Sequence, residues 1–82
     1  MYTVVDDDQV LDQVAALPPD ALTAFAEVRV LLEVAPWSGD PYREEYPDGA
    51  MRSLAFGASG IIVYLIMERD RVVHPLLVQW IG

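Results

Sequence analysis

The 82-residue chain contains no cysteine. Disulfide bonds, thiolate zinc sites and cysteine nucleophiles are therefore excluded, and the redox compartment cannot be read from cysteine usage. Positive charge is scarce: the five basic residues are all arginine and face 13 acidic ones, for a formal net charge of −8. A protein that neutralises phosphates gains affinity from released counterions, which requires a cationic face, and a strongly acidic chain repels polyanions over about a Debye length. Composition thus gives no strong nucleic-acid signal, and the same charge keeps a small apolar domain dispersed. Long apolar runs are missing too. The longest is Ile61 to Met67, seven residues, against the roughly 20 that a membrane-crossing helix needs. The first ten residues hold Asp6, Asp7 and Asp8 and no basic residue, the opposite of a signal peptide's cationic start. The expected location is the cytoplasm, without membrane association.

What is present is core material. The hydrophobic share is 54%, with two Trp, four Tyr and two Phe, enough for a folded domain rather than a disordered segment, and the length predicts one domain spanning residues 1–82. Tyr2 to Val5 is short and β-branched and suits a first strand, which Asp6-Asp7-Asp8 ends while supplying a helix N-cap. In the following helix Val10, Leu11, Val14 and Leu17 share one apolar face, with Asp12 and Gln13 on the other. Pro18-Pro19 stops it, because proline lacks the amide donor and disfavours helical geometry in the residue before it. Pro19 equally suits the first turn of a second helix, where Asp20 complements the positive end of the dipole. That helix is predicted to run to about Val34, with a broad apolar stripe through Leu22, Phe25, Ala26, Val28, Val30, Leu31 and Leu32, and with Glu27, Arg29 and Glu33 outward.

Residues 35–50 contain Pro36, Pro41, Pro47, Gly39 and Gly49, so no regular element should persist there. A long loop in a small domain is either functional or tied down by its own side chains, and Trp37, Tyr42 and Tyr46 are the expected anchors. From Met51 the pattern turns extended: Met51 to Phe56, a turn at Gly57 to Gly60, Ile61 to Met67, a turn at Glu68-Arg69-Asp70, and a last strand from Arg71 to Trp80. Pro75 cannot donate to a ladder, so it belongs at a bulge or facing an unpaired side. The expected architecture is α+β in the order β-α-α-β-β-β, a helical hairpin packed on a mainly antiparallel four-stranded sheet.

Several segments carry a resemblance. Ala16 to Ala21 between the helices, the pair Pro36-Trp37, the stretch Pro47 to Arg52, and Ile61 to Ile66 leading to Leu76 to Trp80 together resemble the RelE/ParE toxin superfamily, in particular its small actinobacterial relatives. The likeness covers nearly the whole chain as an order of elements, and its motifs are structural more than catalytic. It implies a protein of the type II toxin–antitoxin class whose partner is an antitoxin segment wrapping helices and sheet, or a second copy. Members of the family cut messenger RNA in the ribosomal A site with basic residues on the sheet face, often with a tyrosine or histidine near the C-terminus, and others poison DNA gyrase. By the resemblance, Arg52 matches the basic position of the first meander strand. The arginine of the central strand falls on Ile61 or Ile62, that of the last strand near Trp80 or Ile81, and the segment bearing a late tyrosine would follow Gly82.

Phosphodiester cleavage needs cationic groups where charge develops on phosphate and a group that moves a proton near neutral pH. Arg52, Arg71 and His74 are the meander's candidates for a catalytic role. Against each stands a plainer role: a surface ion pair of Arg52 with Asp48 or a loop glutamate, and a packed strand position for His74. Trp37, Tyr42 and Tyr46 are the candidates for partner binding, with core packing the alternative, as it is for Tyr64 and Trp80. Arg43-Glu44-Glu45 and Asp6-Asp7-Asp8 read as a solvated loop and a helix start rather than as metal sites, and neither Gly57-Ala58-Ser59-Gly60 nor Ser38-Gly39 has the spacing of a phosphate-cradling loop. No cofactor or metal is expected. Two readings follow: a toxin-fold protein that is a protein-binding or non-catalytic relative, and a ribosome-dependent mRNA endoribonuclease that uses Arg52, Arg71 and His74.

Overall fold

The computed structural model describes residues 1–81. Asp7 caps the first helix: its Oδ1 accepts from the Val10 amide at 2.8 Å, filling one of the four orphan donors of a helix start. Helix α1 spans Asp8–Ala15, and Pro18-Pro19 separates it from α2, Pro19–Val34, with Pro19 in the first turn. The carboxylate of Asp6, just before α1, grips Arg29 of α2, accepting from Nη1 at 3.0 Å and Nη2 at 2.8 Å. This bidentate pair fixes the angle between the chain's entry and the second helix.

The strands are β1, Thr3–Val4; β2, Asp40–Pro41; β3, Met51–Phe56; β4, Gly60–Met67; and β5, Val72–Trp80. They form one sheet in the order β1-β5-β4-β3-β2, antiparallel except where β1 runs parallel to β5. The expected α+β order and helical hairpin are present. The strand number differs by one because Asp40–Pro41, inside the long loop, pairs with Ser53 and Arg52. Short 3₁₀ turns at Pro36–Ser38 and Glu68–Asp70 complete the chain. Pro75 lies at an irregularity: Tyr64 pairs with Pro75 and Val63 with Leu77, which leaves Leu76 as the extra residue of a bulge.

Both helices pack on one face of the sheet. Val10, Leu17, Ala21, Phe25, Val28 and Leu32 meet Phe56, Ile62, Tyr64, Ile66, Val73 and Val78 in the core, and Phe25 stands edge-on to Phe56 at 5.5 Å. Two predicted helix faces need correction. Leu11 is exposed whereas Gln13 is half-buried, because the Gln13 Oε1 accepts from the Val78 amide at 2.7 Å and so satisfies a β5 donor beyond the reach of β1. In α2 only Ala21, Phe25, Val28 and Leu32 are buried, whereas Leu22, Ala26, Val30 and Leu31, predicted inward, are exposed. Among the described residues no helix is long and apolar enough to cross a membrane.

Candidate functional site

Side chains alternate along each strand, so the register sorts the meander into two faces. Arg52, Leu54 and Phe56 of β3 share the helix side with Ile62, Tyr64 and Ile66 of β4. The opposite face carries Met51, Ser53 and Ala55 of β3, Ile61, Val63, Leu65 and Met67 of β4, and Val72, His74, Leu77 and Gln79 of β5. Among these described strand residues His74 is the one titratable group.

Arg52 is therefore turned away from the open face. It is 8% exposed, and its guanidinium donates to the Gly39 carbonyl at 2.8 Å and the Pro47 carbonyl at 2.9 Å. The Trp37 ring lies beneath it, 5.0 Å from the guanidinium carbon to the ring centre, an aromatic face offered to a cation. The Nε is buried without a hydrogen-bond partner. The expected ion pair with Asp48 or a loop glutamate is replaced by carbonyl dipoles, so Arg52 clamps both limbs of the 35–50 loop onto β3. Sequence alone could not show this, because inward or outward orientation depends on a register that a one-residue slip would reverse.

Tyr64, opposite Arg52, is fully buried; its hydroxyl donates to the Pro36 carbonyl at 2.6 Å. Burial pushes this phenol up to about 12, with the Arg52 charge pulling the other way. Gly39 is required here, since a Cβ would collide with the Tyr64 hydroxyl and lie 2.9 Å from the Ser53 carbonyl oxygen.

Arg71 takes another position. It adopts a left-handed conformation, φ 54° and ψ 47°, after the 3₁₀ turn. Its Nε lies 3.4 Å from Glu68 Oε2, and its guanidinium stacks over the Tyr2 ring at 5.1 Å. Glu68 Oε1 accepts from the Tyr2 hydroxyl at 2.5 Å and from Trp37 Nε1 at 2.7 Å. The hydrogen bond from Tyr2, then that from Trp37, holds the Glu68 carboxyl below its usual range, and the bond to Glu68 raises the Tyr2 phenol. This cluster joins the N-terminus, the loop and the β4–β5 turn. No sequence signal pointed to it, as Tyr2 and Trp37 lie 66 and 31 residues from Glu68.

His74 pairs with Leu65 on the open face and is half-buried. The three candidate catalytic residues are thus not brought together: Arg52 faces the helices, His74 the opposite side, and Arg71 the turn at the end of β4. Of the candidate partner-binding residues, Trp37 is committed to Arg52 and Glu68 while partly exposed, and Tyr42 and Tyr46 are exposed. Tyr46 lines a cavity of about 270 Å³ with Arg43, Gly49, Ala50 and Met51. Trp80 packs on Phe56 at 5.8 Å. Among the described residues no group of three His, Asp or Glu is placed to hold a metal ion.

No family model matches the chain, and no curated protein is significantly similar to it in sequence. Solved structures are. The RelBE2 toxin–antitoxin complex from Mycobacterium tuberculosis contains a chain 26% identical, with a TM-score of 0.79 and 96% of each chain covered. The isolated E. coli RelE toxin is 13% identical, with a TM-score of 0.81 over 100% of this chain and 86% of that one. A chain of the archaeal RelE–RelB complex from Pyrococcus horikoshii is 22% identical, with a TM-score of 0.67 over 99% and 96%. With helices on one side of a mainly antiparallel sheet and this likeness over nearly its whole length, the chain has the RelE-like toxin fold.

Proposed function

We infer that this RelE-like chain acts by binding an antitoxin-type protein and not by cutting messenger RNA, and that it does so in the cytoplasm. The observation that carries the reading is the makeup of the open sheet face. Stabilising charge on a transferring phosphate takes cations aimed at it; here the described strand residues of that face include no arginine, and its polar members are Thr3, Asp40, Ser53, His74 and Gln79. Arg52 is spent on the Gly39 and Pro47 carbonyls, and Arg71 lies off that face, in the turn before β5 beside Glu68 and Tyr2. Two of the similar solved structures are toxin–antitoxin complexes, which supports a protein partner in general. The exposed rings of Tyr42 and Tyr46, with the partly exposed Trp37, extend the available surface.

The test is incubation of the purified protein with ribosomes programmed with messenger RNA, followed by mapping of 5′ ends. The expected result is an uncut message. Cleavage that disappears in Arg71→Ala or His74→Ala would restore the endoribonuclease reading. Arg52→Ala is unsuitable as the sole probe, because loss of the loop clamp and loss of a catalytic group would look alike.

A further inference from the structure

The solvent side of α2 is almost as apolar as its core side. Leu22, Ala26, Val30 and Val34 recur every fourth residue and are exposed, at 41% for Leu22, 57% for Val30 and 62% for Val34. Such spacing makes a continuous ridge along one helix face. A surface helix normally turns charged or polar residues to water, so a ridge of this kind marks a contact surface. Glu27 flanks one side of the ridge, in the row of Thr23 and Leu31, and Glu33 the other. Neither of these two carboxylates has a cationic partner within 4.0 Å among the described residues, and Arg29, the one cation of the helix, is held by Asp6. Between Asp6 and Val34 there are seven acidic residues and one arginine.

We propose that the Leu22–Ala26–Val30–Val34 ridge docks a cationic amphipathic helix of the protein partner, whose apolar side covers the ridge while its Lys or Arg residues pair with Glu27 and Glu33. This rests on the protein-binding reading and adds the partner's chemistry to it. Charge decides between occupants. A second copy would bring its own acidic rim against this one, and like charges facing each other disfavour association, whereas a basic rim gains attraction and a faster encounter. A helix is the fitting shape because ridges at a four-residue interval interdigitate with those of another helix.

The test uses the whole protein and two synthetic amphipathic peptides of identical leucine pattern, one with lysine and one with glutamate at every polar position. The lysine peptide should bind in calorimetry and shift α2 amides in heteronuclear NMR, with affinity falling as salt rises. Val30→Ser/Val34→Ser, which leaves the charge unchanged, should weaken binding about tenfold or more, as should Glu27→Gln/Glu33→Gln. Glu44→Gln/Glu45→Gln in the loop should leave it unchanged. Both valines are exposed, so circular dichroism should show the ridge variant folded. The proposal is overturned by equal binding of the glutamate peptide, by shifts centred on the loop tyrosines, or by indifference to Val30→Ser/Val34→Ser. Dimerisation of the protein that this variant abolishes would also overturn it. If the lysine peptide fails while programmed ribosomes yield uncut message, the partner's chemistry is wrong and the protein-binding reading stands. If it binds and message is cut, the docking ridge stands and the non-catalytic reading falls.

Discussion

Arg52 and Tyr64 sit side by side on the helix-facing side of the sheet, and between them they fasten the irregular loop to it. Each Arg52 bond to a carbonyl carries a charged donor, worth about 1.5–3 kcal/mol. Replacing Arg52 by Ala leaves the Gly39 and Pro47 carbonyls without these donors and should lower stability by about 2–4 kcal/mol, read as a shift of the denaturant midpoint. Arg52→Lys should recover only part of this, since an ammonium does not present the planar fork that spans two acceptors. Tyr64 predicts a pH dependence. Its hydroxyl is held neutral in the fold, with a folded value of about 12 against 10.0 for the free phenol. The unfolded chain therefore loses this proton first, so the contribution is fully present below pH 10 and is lost as the pH rises towards 12. Chemical denaturation at stepped alkaline pH should show that decline, and Tyr64→Phe should flatten it while costing about 1 kcal/mol near neutrality for the lost bond to Pro36. Gly39→Ala should destabilise by about 1–3 kcal/mol, because the methyl must displace the Tyr64 hydroxyl.

At the scale of elements, the core side of α2 is the main brace of the sheet. Leu32 is fully buried against it, and Leu32→Ala should cost about 2–5 kcal/mol, with a matching fall in melting temperature. Truncating Val30, on the far side of the same helix, should change stability by less than about 0.5 kcal/mol. Helix bounds, the double-proline break and the meander were legible in the sequence because each rests on local chemistry: Asp7 as cap, Pro18-Pro19 as stop, extended runs between Gly-rich or charged turns. The facing of α2 was not. Its residues are apolar nearly all round, so periodicity could not separate the core side from the solvent side. Gln13 and Leu11 exchanged their expected roles for a tertiary reason, the need of the Val78 amide for an acceptor. The short β2 pairing and the Tyr2–Trp37–Glu68–Arg71 cluster join residues remote in sequence, which no local pattern encodes.

For the whole molecule, the contrast lies between a toxin fold and the charge it carries. The fold provides an open sheet face, yet none of the five arginines projects from its strands: Arg29 is held by Asp6, Arg52 faces the helices and holds the loop, Arg71 lies beside Glu68 in the turn before β5, and Arg43 and Arg69 are exposed on a loop and a turn. With a net charge of −8, long-range attraction for polyanions is lost along with the local cations. Binding of RNA by contact with phosphates would release counterions and fall steeply with salt. Fluorescence anisotropy of a labelled single-stranded RNA, titrated with the protein across the range from low to physiological salt, tests this most directly. No saturable binding is expected at any salt concentration. Saturable binding that weakens as salt rises and is abolished by Arg71→Ala or His74→Ala would contradict it.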